Sequence, residues 1–445
     1  MSRLIRLATR RRFLLQSTRS LLAAGVWSTA GPASARSSLE RLRIAAIGVA
    51  NRGETNVLSV AKENVVALCD VDRRYLDERR ERFPDARTYA DYRELLDRER
   101  DLDAVIISTP DHTHAHAAIL ALRRRLHVYC EKPLVHRHAE LEPLVSAAKR
   151  AEVATQTGNQ HRASDGYRRA VAWLQTGVLG AIREVHVWTD RPIWRQAGGR
   201  PASQPIPPYL DWDLWLGPAP ERPYAAGYHP LNWRGFWDFG GGALGDRGPH
   251  LLDPLVAAWD LPPPSEITAQ SHGATDEMAP EWSIVQFTFP RTPRMNVEAP
   301  VWRLTWYDGG KQPSPETTGI ARLPNNGCLV MGSEGRMFLP ELGGEPRLLG
   351  AAGRNAPAVP RVEIAPASSH IDEWLEACRG RGRTSSPFLY GARLTEICLL
   401  GNVALRAGRS LKWDAKRSAP ADNDERWQSW LAGPAVRGSW QLLDE

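Results

Sequence analysis

One lysine is placed to meet two molecules at once. Lys132 lies in Glu131-Lys132-Pro133, directly after His127–Cys130, an apolar run with the length of a buried strand. In open α/β sheets, ligands bind outside the carboxyl ends of the parallel strands, so an ammonium group there can touch cofactor and substrate together. The stretch from Leu102 to Pro133 reads as strand, loop, helix and strand. Three of its histidines, His112, His114 and His116, are closely spaced and invite a metal-site reading. They fall in a loop and a helix start, however, and no cysteine or carboxylate completes a set at zinc spacing, so no metal is expected.

A second site precedes it. Leu42–Gly48 runs into Gly48-Val49-Ala50-Asn51-Arg52-Gly53, the dinucleotide-binding fingerprint with Ala50 at the middle glycine. Gly48 allows the tight turn, position 50 lets the backbone approach a pyrophosphate, and Gly53 lets helix and strand pack closely. The extra methyl of Ala50 fits if the pyrophosphate is slightly displaced. Val65–Asp70 is a second strand ending in an acid 22 positions after Gly48. A carboxylate there accepts hydrogen bonds from ribose hydroxyls and repels a 2′-phosphate, which favours NAD; Arg73 and Arg74 keep NADP open. The competing assignment for Asp70 is the N-cap of a helix over Arg73–Phe83.

These residues need a frame. Residues 42–160 alternate strand-length apolar runs with amphipathic segments such as Arg73–Phe83 and His114–Leu122, which predicts βαβ units and a doubly wound parallel sheet. From Ile182 the rhythm changes. IREVHVWTD, SEITAQS, WSIVQFTF, MNVEAPVWRLTWYD and CLVMGSEGRMFL read as strands without regular intervening helices, hence an α+β second domain with a large, mostly antiparallel open sheet. Nine prolines between Pro192 and Pro230 predict a long irregular loop, and such loops are often functional. His370–Arg379 and Ala392–Ala407 read as helices. The expected organisation is an export signal over 1–35, a nucleotide-binding domain over 36–160 and a substrate-binding, oligomer-forming domain over 161–445.

The formal charge is +6, from 57 basic and 51 acidic residues. Six of the arginines, and no acid, lie in residues 1–35, which leaves 51 against 51 elsewhere. That balance removes the electrostatic argument for nucleic acid or an anionic membrane as partner. Thr9-Arg10-Arg11-Arg12-Phe13-Leu14 matches the twin-arginine pattern, Leu21–Trp27 is apolar, and Ala33-Ser34-Ala35 offers a cleavage site. The apolar run is too short to span a bilayer comfortably, and no span is expected in the mature chain. A periplasmic location follows. The five cysteines are odd in number and show no CxxC, so most are expected to be buried apolar residues.

The ordered set Gly48–Gly53, Asp70, Thr109-Pro110-Asp111-His112-Thr113-His114, Glu131-Lys132-Pro133 and Gly245-Asp246-Arg247-Gly248-Pro249-His250 resembles the Gfo/Idh/MocA oxidoreductases over nearly all of the mature chain. The resemblance implies that Lys132 sits near the nicotinamide and hydrogen-bonds the reacting hydroxyl. It implies cofactor contacts from Gly48, Ala50, Asn51, Arg52, Gly53, Asp70, Thr109, His114, Glu131, Lys132 and Asn159. It also makes Asp246 and His250 a catalytic pair; at i, i+4 they share one helix face. His250 is the expected base, with Lys132 polarising the oxygen and Asp246 orienting substrate or His250. Lys132 as the base remains the alternative. Gly158-Asn159-Gln160-His161-Arg162 is placed beside nicotinamide and substrate. Asp111 departs from the Asn often found there, and Ala50 from the second Gly. The family's second domain commonly forms homodimers or homotetramers.

Six tryptophans (Trp188, Trp194, Trp212, Trp215, Trp233, Trp237) crowd a short stretch with Tyr209, Tyr224 and Tyr228 interleaved. Either they face a sugar ring or they form an aromatic core or a dimer interface. His161, Arg162, His229, Trp233 and Arg234 are the candidate substrate contacts. Export adds a constraint, because a compartment without a dinucleotide pool requires a tightly held cofactor that regains its starting state in each cycle. Three functions remain: an NAD(P)-dependent oxidoreductase of a sugar or polyol, a glycosidase or lyase that oxidises its sugar transiently, and a non-catalytic sugar-binding protein.

Overall fold

The computed structural model describes residues 41–350, 355–364, 368–422 and 424–442. The segment 1–35, read as an export signal, lies outside the described residues.

Residues 43–158 build a parallel sheet from β1 (Arg43–Ile47), β2 (Asn64–Cys69), β3 (Arg87–Tyr89), β4 (Ala104–Ile107), β5 (His127–Glu131) and β6 (Thr155–Gly158), in the order β3-β2-β1-β4-β5-β6. Its central strands are near-continuous apolar runs because both faces are covered, and all four residues of β4 are buried. The strand order reverses between β1 and β4, which pair in register from Ile44 with Ala104 to Ile47 with Ile107. Both therefore end at one level, and the crevice where doubly wound sheets bind ligands opens there. β3 was not legible, since Arg-Thr-Tyr has no apolar run.

The helices Asp111–Arg123 and Leu141–Ala151 cover one face of this sheet. On the other face Ile371, Trp374 and Leu375, from the helix His370–Cys378, pack with Ile44, Ala46, Leu68 and Ile106. A segment far along the chain thus completes the core of the nucleotide-binding sheet.

The second sheet, within the described residues, runs β13-β12-β11-β7-β10-β9-β8-β14-β15. Its strands are β7 (Ile182–Trp188), β8 (Glu266–His272), β9 (Trp282–Pro290), β10 (Val301–Tyr307), β11 (Gly327–Gly332), β12 (Gly335–Pro340), β13 (Arg347–Gly350), β14 (Leu411–Asp414) and β15 (Ala419–Pro420). It is mixed and mostly antiparallel, with β7 and β10 parallel. The alternation in β9 sends Ser283, Val285, Phe287 and Phe289 to the core. Two strand expectations need correction. MNVEAPVWRLTWYD is a strand only from Val301, because the Arg291 N–H donates to the Pro300 carbonyl and Met295 and Val297 turn into the core. CLVMGSEGRMFL is two strands, joined by a hairpin at Ser333-Glu334.

The helix Phe388–Ala407 is long and apolar enough to cross a membrane, but 78% of its apolar window is buried inside the fold. Small residues let it approach its neighbours. A Cβ on Gly391 would lie 1.9 Å from Thr157 Oγ1, and one on Gly401 2.6 Å from Leu244. The cysteines are free, and all but Cys378 are buried.

Candidate active site

The turn after β1 is shaped for close approach. Gly48 has φ +79°, and a Cβ there would lie 2.6 Å from the Ser108 carbonyl oxygen. A Cβ on Gly53 would lie 2.1 Å from the Gly48 oxygen, so the helix Arg52–Ser59 can start against the strand only with glycine. Asp70, at the end of β2, accepts the backbone N–H of Val49 at 3.0 Å and that of Asp72 at 3.0 Å. Burial pushes its carboxyl up to about 6, although both hydrogen bonds act against this. The cap of the helix Arg73–Arg82 is Asp72, not Asp70, which leaves Asp70 on the wall of the cleft.

That cleft is a cavity of about 640 Å³. It runs from Asp70 and Tyr92 to Lys132, Asp246 and His250. Gly48, Ala50, Asn51, Arg52, Thr109, His114 and Glu131 line it as well. Glu131 is buried and accepts Asn56 Nδ2 at 2.8 Å and Gln160 Nε2 at 2.6 Å, which ties β5 to the first helix. His114 faces the carbonyls of Pro133 and Thr109, each at 2.8 Å, and so braces the loop that carries Lys132.

At the far end Lys132 Nζ donates to Asp246 Oδ1 and to the Asp246 carbonyl, both at 2.8 Å. Arg234 Nε lies 3.4 Å from the same carboxylate oxygen. Burial opposes ionisation of Asp246, but the charges of Lys132 and Arg234 prevail and hold its carboxyl well below the usual range. Asp246 and His250 both belong to the helix Gly242–Leu251. The Asp246 carboxylate engages Lys132 and Arg234, and no hydrogen bond links it to His250. Burial, reinforced by the Lys132 charge, pushes His250 well below its ordinary value and keeps the imidazole neutral. Its Nδ1 has no protein partner. A fixed ammonium beside a neutral imidazole can polarise an oxygen and accept its proton.

Asp111 joins this end, and its titration was missed in the sequence. It is the first residue of the helix Asp111–Arg123, lies buried in the cleft wall and accepts the Gly241 N–H. Burial pushes its carboxyl up to about 7 against the pull of Lys132 and Arg234. The signal was an acid where the family pattern often has an amide.

Three expected contacts lie elsewhere. Arg162 lines a separate pocket with Tyr167 and Glu363, 3.5 Å from Asp253 and over the Tyr390 ring, because a buried guanidinium requires an acid and Asp253 supplies it. Asn159 is buried and does not line the cleft, and His161 packs its ring 5.1 Å from that of His250. His229 does line the cleft, but at the opposite end from Lys132, with Nε2 3.2 Å from Asp72 Oδ2. Trp233 lines the cleft with the Arg234 guanidinium over its ring. Of the other five tryptophans in that stretch only Trp215 does. Trp212, Trp215, Tyr224, Tyr228, Phe236 and Phe239 form a small core in and just after the proline-rich segment. The three spaced histidines diverge: His112 faces the Trp215 carbonyl at 2.9 Å and His116 the Tyr92 hydroxyl at 2.9 Å. Among the described residues no His/Cys/Asp/Glu group is arranged to hold a metal.

Residues 42–159 match the model of an oxidoreductase family with an NAD-binding Rossmann fold, and residues 181–296 that of the same family's C-terminal α/β domain. The myo-inositol 2-dehydrogenase of Thermotoga maritima is 26% identical over 38% of this chain and 48% of its own. The levoglucosan dehydrogenase of Pseudarthrobacter phenanthrenivorans is 27% identical over 39% of this chain and 36% of its own. The chain thus matches under half the length of these relatives. The WlbA dehydrogenase of Bordetella pertussis, solved with NADH and UDP-GlcNAcA, shares the fold at a TM-score of 0.58 and 18% identity, over 84% of this chain and 99% of that one. The fingerprint turn, the acid closing β2 and the two matched domains lead to one conclusion: the chain belongs to the Gfo/Idh/MocA oxidoreductase family.

Proposed function

We propose that the protein oxidises a carbinol of a sugar or polyol with NAD held tightly in the cleft, and that the hydride then passes to the carbonyl of a second sugar so that NAD is restored in each cycle. The carrying observation is that the Lys132–Asp246 pair and neutral His250 share one cavity with the Gly48 turn and Asp70. The glycine cradle and the Asp70 carboxylate fit a pyrophosphate and a ribose diol. Arg74, paired with Asp72 at 2.7 Å and stacked on Tyr209, is not set aside for a 2′-phosphate, which supports NAD over NADP. Bound NAD supplies the hydride acceptor.

The chain's own residues handle the proton. Lys132 donates a hydrogen bond to the substrate oxygen while Asp246 fixes the direction of Nζ. His250 accepts the hydroxyl proton as the carbinol becomes a carbonyl, so the alternative of Lys132 as base is the less supported one. Trp233 and Arg234 offer an aromatic face and a polar rim to the substrate. The dehydrogenases among the similar proteins act on myo-inositol and levoglucosan, by their names, which supports this substrate class.

Export through the segment 1–35 belongs to this reading. It accounts for cofactor retention, and assembly as a homodimer or homotetramer accompanies it. Asp111 favours a second reading, a glycosidase or lyase, because elimination from a transient ketosugar needs a further group that exchanges protons. Product analysis separates the two: a ketosugar or lactone against a released aglycone.

The test is turnover by purified protein with a panel of inositols, aldoses and anhydrosugars, each offered together with a carbonyl sugar as hydride acceptor. The Lys132→Ala variant is expected to lose activity by about 10³-fold while still binding NAD. Unchanged turnover would overturn the assignment.

A further inference from the structure

We propose that the adenosine half of NAD is enclosed by walls from outside the nucleotide-binding sheet, the segment 209–215 and Trp440, so that the dinucleotide does not exchange during turnover. This rests on the NAD reading of the cleft.

The segment is fastened to the chain just beyond Asp70. Asp72 and Leu210 form an antiparallel bridge, the Arg73 N–H donates to the Tyr209 carbonyl at 2.8 Å, and the Asp211 N–H donates to that of Val71 at 3.0 Å. Arg74 spreads its guanidinium over the Tyr209 ring at 3.5 Å, and His229 closes on Asp72 at 3.2 Å. The tail completes the enclosure. Arg437 donates to the carbonyls of Gly217 at 2.9 Å and Asp213 at 2.7 Å, which ties the tail to the segment. Arg93 donates to the Ser439 carbonyl at 3.0 Å and lies over the Trp440 ring at 3.7 Å, which ties the tail to the nucleotide-binding half. Val71, Tyr75, Tyr92, Leu214, Trp215 and Trp440 all face the cavity that Asp70 lines.

The chemistry of these walls suits a purine. They are aromatic and aliphatic, they lie next to the carboxylate placed for the ribose, and Trp440 and Trp215 are almost fully buried. Walls fastened by the bridge and the tail contacts hinder the exit of a base lying between them, whereas an adenine lying on an open sheet edge leaves freely. A base enlarged at its amino edge is also excluded.

The test uses the full chain stripped of any dinucleotide it carries from purification, with NADH and the ethenoadenine analogue of NAD as probes. NADH release is followed by the loss of energy transfer from tryptophan after excess NAD is added. Release is expected to be at least about tenfold faster in Trp440→Ala and Arg437→Ala than in the wild type, with unchanged circular dichroism. The wild type is expected to bind the ethenoadenine analogue at least about tenfold more weakly than NAD. The analogue alone decides if neither variant folds. Equal affinity for the analogue, or unaltered release from folded variants, overturns the enclosure while leaving the NAD reading intact. A wild type that releases no dinucleotide on denaturation and binds neither probe overturns both.

Discussion

The two ends of the cleft are built on different principles. At the Asp70 end, recognition is by backbone and burial: glycines at Gly48 and Gly53, two N–H groups on one carboxylate, and apolar walls. At the Lys132 end, charged groups from four separate segments meet: Asp111, Lys132, Arg234 and Asp246 with His250. The first arrangement binds without discriminating between chemical states. The second has a distribution of charge and protons that changes as a reaction proceeds. Substitutions should therefore separate affinity from turnover along the length of one cavity.

The largest separation is expected from His250→Ala, with kcat/KM down by about 10²–10⁴-fold and NADH affinity within a few-fold of wild type. A parallel loss of NADH affinity would show that the ends are not independent. Asp70→Ala is the mirror experiment. NAD affinity should fall by about tenfold, with kcat at saturating NAD retained and preference over NADP reduced.

Asp111→Asn sharpens the picture through pH. The wild-type kcat/KM profile should show an inflection near pH 7 that the amide variant lacks. The same group affects stability. Its folded pKa lies above its unfolded value, so its contribution is fully present below about pH 4 and is lost as pH rises through 7. Thermal midpoints of wild type and Asp111→Asn should therefore diverge between mildly acidic and mildly alkaline buffer.

The smallest effect concerns histidines away from the chemistry. Burial pushes His112 and His370 down to about 3 and His116 to about 4. The unfolded chain binds these protons first, so stability should decline as pH falls from about 6.5 towards 4. His370→Gln should flatten that decline in a urea titration. An unchanged slope would mean that His370 protonates as readily in the fold as outside it.

The Asp70 end was largely legible because its determinants are local. A turn, a strand and a terminal acid follow one another within a few dozen residues, and each has a spacing rule. Lys132 was legible for the same reason, as the residue after a strand end. The other end needed a pattern match to bring Asp246 and His250 to Lys132, since no periodicity joins positions more than a hundred residues apart. Arg162 was misplaced because sequence adjacency to His161 says nothing about Asp253, the acid that holds its guanidinium. Trp440 and the Asp72–Leu210 bridge left no local signal at all. The tryptophan-rich segment read correctly as irregular, but most of its rings are its own core rather than a sugar platform.

The helix His370–Cys378 also bears on how the chain comes to exist. Ile44, Ala46, Leu68 and Ile106 find their cover in Ile371, Trp374 and Leu375. During synthesis that apolar surface stays open to water long after its own strands have left the ribosome. The nucleotide-binding half cannot finish as an autonomous unit in the order it is made. Any step that depends on a completed sheet, cofactor capture included, must wait until the helix His370–Cys378 has emerged.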